Sequence, residues 1–141
     1  MEENLEIFYD IKAMFTDAMK NPQFNAYLAG TLNNYIASTI DITGFNFNTT
    51  NRYIEIIVLS DDDPMIVVGN LKSILCNFIC NCTTDQEIRS ILYSINNKVF
   101  STLDHMVKMQ NLLELMKVVN YMYSILFMGN VAQGHLFRIM M

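Results

Sequence analysis

The residues best suited to chemistry in this 141-residue chain are three cysteines, two histidines and a run of three aspartates. Cys76, Cys80 and Cys82 share one apolar stretch, and the first two lie four apart, on one helical face. A structural zinc site needs four ligands, usually in pairs such as C-x-x-C. His105 and His135 are far from the cysteines in sequence. An odd number of cysteines in one short segment is also a poor disulfide framework. They read as buried, reduced thiols, which suit the cytosol. Asp104 and His105 are neighbours, so on a helix they point about 100° apart. No Ser/His/Asp triad assembles around them. Asp61-Asp62-Asp63 lacks the alternating aspartates, glycine and bidentate glutamate of a calcium loop. It reads as a solvated turn. Neither G-x-G-x-x-G nor G-x-x-x-x-G-K-[ST] occurs. Eleven methionines fall mostly at apolar helical positions. There methionine fills gaps or forms an adaptable binding surface. None of these residues gives a positive sign of an enzyme, a metal or a cofactor.

The charge balance narrows the partners. Nine Lys+Arg against fourteen Asp+Glu give a net charge of −5. A binder of the nucleic-acid phosphate backbone needs a basic stripe, so the charge argues against that class. Charged residues are only 16% and hydrophobic ones 52%, which excludes intrinsic disorder. The N-terminus, MEENLEIFYDIK, is acidic and has no signal-peptide pattern. The sequons at Asn48-Thr49-Thr50 and Asn81-Cys82-Thr83 therefore read as chance. A spanning helix needs about 18 or more apolar residues. The nearest run, Val118 to Met128, is interrupted by Asn120 and Ser124 and stops at Gly129. The expectation is one compact domain over residues 1–141, with no membrane-spanning segment.

The apolar spacing is helical nearly throughout. Leu5, Phe8, Phe15 and Met19 share a face with Ile11, predicting an amphipathic helix of about 18 residues. Asn21-Pro22 ends it, because proline disfavours helix at the preceding residue and suits the next first turn. A second helix runs from about Pro22 to Ile40. Thr43 to Thr49 reads as a loop or a short helical turn. A third helix spans about Asn51 to Leu59, although its β-branched residues also permit a strand. From about Met65 to Cys82, apolar residues surround almost the whole helix, the mark of a buried central helix. Its polar residues, Asn70, Ser73, Asn77 and Asn81, form one narrow stripe. Thr84-Asp85-Gln86-Glu87 is a capping box, followed by apolar repeats from Ile88 through Val99, Leu103 and Met106. Leu112–Phe127 continues as one or two short helices, with Gly129 as a C-terminal stop. The fold class expected is all-α.

A helical domain of this size around one buried helix resembles the Bcl-2 family. Arg52-Tyr53-Ile54-Glu55-Ile56-Ile57-Val58-Leu59-Ser60-Asp61 is similar to the family helix that ends in an acidic turn. Val67-Val68-Gly69-Asn70 stands where the family has Asn-Trp-Gly-Arg, matching at the glycine. The stretch from Asp85 through His105 resembles the family's sixth helix in length, phase and start. The resemblance covers about Arg52 to Asn111. The short, Asn- and Ile-rich chain looks like a compact homologue from a large DNA virus, such as a poxvirus or iridovirus.

The resemblance implies a Bcl-2-like helical bundle that inhibits apoptosis in the host cytoplasm, with mitochondrial association through its partners. It would hold the amphipathic third-homology-region (BH-3) helix of a pro-apoptotic partner in a surface groove, the helix-in-groove mode. Ile54 and Val58 would line one wall. Gly69, Asn70, Ser73 and Asn77 would form the floor, and Leu28, Leu32 and Tyr35 the other wall. In the family an arginine that pairs with the ligand aspartate stands at Asn70; asparagine can hydrogen-bond that carboxylate but brings no charge of its own. The alternative is a Bcl-2-fold immune modulator that blocks inflammatory signalling through another face. A low-charge, apolar surface also leaves homodimerisation open.

Overall fold

The computed structural model describes residues 2–48, 50–84, 86–97 and 111–140. Helix α1 (Glu2–Met19) and helix α2 (Pro22–Ala37) come first. They are followed by strands β1 (Ile42–Asn48) and β2 (Tyr53–Val58). Helices α3 (Pro64–Thr84), α4 (Gln86–Asn96) and α5 (Leu112–Met122) follow, and a β3 (Ser124–Val131)–β4 (Gly134–Met140) hairpin closes the chain. The strands form one antiparallel sheet in the order β1-β2-β4-β3. The expected all-α bundle is therefore corrected to a mixed fold of helices and a four-stranded sheet.

The first two helices follow from local signals. Asn21 caps α2, its Oδ1 accepting from Gln23 N at 2.9 Å and Phe24 N at 3.2 Å. Pro22, with no N–H to offer, fits the first turn. At the other end of this connection the Asn25 amide donates to the Met19 carbonyl oxygen at 3.0 Å.

The sheet replaces three sequence expectations. The segment expected as a third helix is β2, where Ile54, Ile56 and Val58 are buried and Tyr53, Glu55 and Ile57 are half-buried. That alternation has the strand period of two. The expected loop at 43–49 is largely β1, with Phe45 and Phe47 opposite Ile56 and Ile54 on the core side. The helix expected to run to Phe127 stops at Tyr123, whose backbone turns extended at φ −127° and ψ 138°. Gly129 is no helix stop. It sits at φ +118° beside a bulge in the β3–β4 pairing, a conformation that suits glycine.

Helix α3 is the centre of the core. Val67, Val68, Leu71, Ile74, Leu75, Cys76, Phe78 and Ile79 are all buried, more than in any other element among the described side chains. They join Leu28, Leu32 and Ile36 of α2, Val118 and Val119 of α5, and Ile54, Ile56, Phe137 and Ile139 of the sheet in one cluster. Each such side chain contributes roughly 1.5–3 kcal/mol when fully buried. Asp63 caps the helix, its carboxylate accepting from Met65 N at 2.9 Å. The aspartate run is thus an exposed turn whose last member starts α3. The capping box includes residue 85, and the repeats at Val99, Leu103 and Met106 lie outside the described residues, as does the Asp104-His105 pair.

The closing hairpin depends on Gly134. Its φ is +142°, and an added Cβ would stand 2.3 Å from the Val58 carbonyl oxygen. Backbone atoms cannot yield as a side chain does. Gly134→Ala should therefore cost at least about 2 kcal/mol of stability in urea unfolding. A variant as stable as the parent would show that β4 does not approach β2 in this way.

Candidate functional site

The core positions of α3 fix what the helix shows to solvent. With Val67, Leu71, Ile74, Leu75 and Phe78 turned inward, Met65, Ile66, Gly69, Asn70, Ser73, Asn77 and Asn81 are exposed. Met65 is 71% and Ile66 55% exposed. The spacing 66, 69/70, 73, 77, 81 is one stripe along the helix axis. No member of it is charged, whereas a solvent face normally carries charged and polar residues. Lys72 is half-buried and nearly opposite Asn70 on the helix, and Asp61, Asp62 and Asp63 stand exposed ahead of α3.

The nine residues expected to form a groove separate into two groups. Gly69, Asn70, Ser73 and Asn77 share the outward face of α3. Leu28, Leu32, Ile54 and Val58 are buried, 0–2% exposed, and pack into the core as members of α2 and β2. They offer no walls to solvent. Tyr35 lies between, half-buried, its ring 5.7 Å from that of Phe78 at an interplanar angle of 78°. Its hydroxyl accepts from Asn81 Nδ2, which ties α2 to the C-terminal half of α3. The four residues expected as a floor are exposed on one helix face, without the four buried residues beside them.

Met65 and Ile66 were not among the expected site residues. They sit in an apolar run, so sequence assigns them to the core. The one signal for Ile66 is its phase, four residues before Asn70. A second uncharged surface is also new. Strand β3 is an edge strand on which Leu126, Phe127, Met128 and Val131 are exposed.

The thiols have a structural setting. Cys76 is buried and donates to Met116 Sδ at 3.4 Å, joining α3 to α5. Burial first, and then the neighbouring Cys80 thiol, push the Cys76 thiol from its ordinary 9.0 up to about 11. Burial also raises Cys80. A raised value keeps the thiol neutral and a poor nucleophile. The Cys82 side chain lies outside the described residues. Among the described residues, no three of His, Cys, Asp and Glu converge in a way that would hold a metal ion. Residues 64–81 of α3 are long and apolar enough, by length and composition, to cross a membrane. In this structure the same segment is the core helix.

Comparison with protein-family models, with curated proteins and with solved structures yields no match for the chain. The resemblance to the Bcl-2 family therefore rests on the residues quoted for it, without the fold it implied.

Two outcomes follow. Open space surrounds the position a Gly69 Cβ would take. Gly69→Ala should stabilise the protein by about 0.5–1 kcal/mol, because glycine inside a helix costs about that much against alanine. A lower unfolding midpoint in urea would contradict the exposed placement. For Cys76, the unfolded chain releases its proton near pH 9, while the folded state holds it to about pH 11. Stability should fall as pH rises through that window. Calorimetry of Cys76→Ala over the same range should show a shallower fall than the parent.

Proposed function

We propose that this chain is a protein-binding domain that seats an amphipathic helix of a partner on the outward face of α3. The observation that carries the reading is Gly69. It is exposed in the middle of a long helix, where alanine fits the space and would be more stable. The chain's own packing does not require a glycine there. A helix lying across α3 does, because a missing side chain lets two backbones approach closely. Ser73, one turn on, keeps the approach narrow, and exposed Met65 and Ile66 provide apolar contact at the head. Asn70 and Asn77 supply hydrogen-bonding groups without charge.

Pro-apoptotic helices of the Bcl-2 type are the first partners to test, and inhibition of apoptosis is the biological role that would follow. Their support is the glycine at position 69, the one residue that matches the family motif, together with the exposed, uncharged face on which it stands. The buried residues Leu28, Leu32, Ile54 and Val58 are not part of the proposal. The competing surface is edge strand β3, with its exposed Leu126, Phe127 and Met128. A signalling modulator that acts through another face would use it.

The test is a fluorescence titration against a panel of pro-apoptotic helical peptides. Binding at micromolar affinity or better is expected. Gly69→Tyr should weaken it at least about 100-fold, as a side chain blocking a close helix contact would. Circular dichroism should remain that of the parent. Asn70→Ala should cost only about 1 kcal/mol, one hydrogen bond from a neutral amide to the ligand carboxylate. Unchanged affinity in a folded Gly69→Tyr protein would move the site away from α3.

A further inference from the structure

The sheet has two edge strands, and they are not alike. Strand β1 shows Thr43 and Asn46 to solvent, while its Ile42, Phe45 and Phe47 are half-buried and pack against the core. The Thr43 hydroxyl also donates to the Gln133 carbonyl oxygen at 3.1 Å. Strand β3 pairs with β4 on one side, and no strand lies on its other side among the described residues. Leu126, Phe127, Met128 and Val131 stand 38–48% exposed along it. It therefore joins unpaired backbone groups to apolar side chains in water.

Edge strands are normally guarded by lysine, inward-pointing charge, proline or a bulge. Ser124–Val131 has no charged residue and no proline. Its guard is the bulge between Phe127 and Gly129, and a bulge ends regular pairing where it stands. The stretch before it, Ser124–Phe127, keeps an unbroken register with β4. That stretch can take a second partner strand.

Charge and symmetry say which strand. The chain carries a net charge of −5, so two copies repel wherever acidic faces meet. At β3 they do not. The cross-strand row that reaches the edge is Glu55, Arg138, Leu126. Arg138 Nη2 is already 3.4 Å from the Glu55 carboxylate, so the row ends neutral and apolar. The segment is also its own complement. Ile125 and Phe127 lie opposite the buried Ile139 and Phe137, and Leu126 lies on the other face. An antiparallel copy centred on Leu126 sets Leu126 against itself and Ile125 against Phe127 of the second copy. Core-side residues then meet core-side residues, whereas a slip by one would mix the faces.

We propose that β3 pairs antiparallel with β3 of a second copy about a two-fold axis at Leu126, joining two four-stranded sheets into one. Such an interface is closed by its symmetry and stops at a dimer. The paired stretch is short, so the affinity is modest, with a dissociation constant of about 10–100 µM. The inference does not depend on the α3 surface.

The test is sedimentation equilibrium of the full chain up to about 1 mM, which should show a monomer–dimer equilibrium in that range. Leu126→Glu should weaken the dimer at least about tenfold, because like charges directly opposite are unfavourable. In the monomer the same carboxylate faces Arg138, a favourable pair, so the circular dichroism should remain that of the parent. Val131→Glu adds the same charge beyond the bulge and should change the affinity by about twofold at most. If Leu126→Glu does not fold, Leu126→Cys carries the test. Opposed residues at the axis lie about 4.5–5.5 Å apart, within disulfide reach. Mild oxidation should then link two copies at least about tenfold faster than in Val131→Cys. A parent that stays monomeric at about 1 mM overturns the proposal and leaves β3 to a strand of another protein. So does undiminished dimerisation of a folded Leu126→Glu, an equal loss in Val131→Glu, or equal cross-linking of the two cysteine variants.

Discussion

The constraint that organises this protein is the need to cover α3. Its inward positions, from Val67 to Ile79, are too apolar for one neighbouring layer to bury. Helix α2 packs Leu28, Leu32 and Ile36 against the cluster, α5 adds Val118 and Val119, and the sheet adds Ile54, Ile56, Phe137 and Ile139. Each of these elements is itself amphipathic and cannot keep its apolar face in water. Covering α3 therefore completes them as well. Only the stripe through Gly69, Asn70, Ser73 and Asn77 lies outside this demand. The residues there are free of packing requirements, and their types need another explanation.

What was legible in the sequence was local. The break at Asn21-Pro22 is written in two residues, one that caps and one that lacks an N–H. The polar stripe of α3 is written in its spacing, and the structure turns it outward as the phase requires. The strands were hidden because short Ile- and Val-rich runs suit a buried helix and a buried strand equally. What decides Ile54–Val58 is its pairing with Phe137 and Ile139, about eighty residues away. Nothing near Tyr53 announces that partner. The burial of the four expected wall residues was hidden for the same reason. Leu28, Leu32, Ile54 and Val58 are apolar and correctly spaced for a wall, but apolarity alone does not distinguish a groove lining from a core. Arg52 was legible only as a charge. Its left-handed backbone belongs to a turn that exists because β1 and β2 pair.

Two residues depart from what folding alone favours. At Gly69 an exposed helix position is left less stable than alanine would make it. At Arg52 a turn position is left more strained than glycine would make it. In each case the chain keeps a residue that its own folding does not favour, and such departures from local consistency concentrate where proteins act on something else. The buried thiols show the opposite pattern. Cys76 fills space between α3 and α5, and its raised ionisation follows from that burial.

The central claim is that a partner helix lies on the outward face of α3. Backbone and methyl resonances recorded as a pro-apoptotic helical peptide is titrated in test it most directly. The account predicts the largest shifts at Met65, Ile66, Gly69, Asn70, Ser73 and Asn77, with Leu28, Leu32, Ile54 and Val58 little changed. Shifts centred on those four core residues would mean that the fold opens to form a groove. Shifts centred on Leu126 to Val131, or none at saturating peptide, would contradict the account outright.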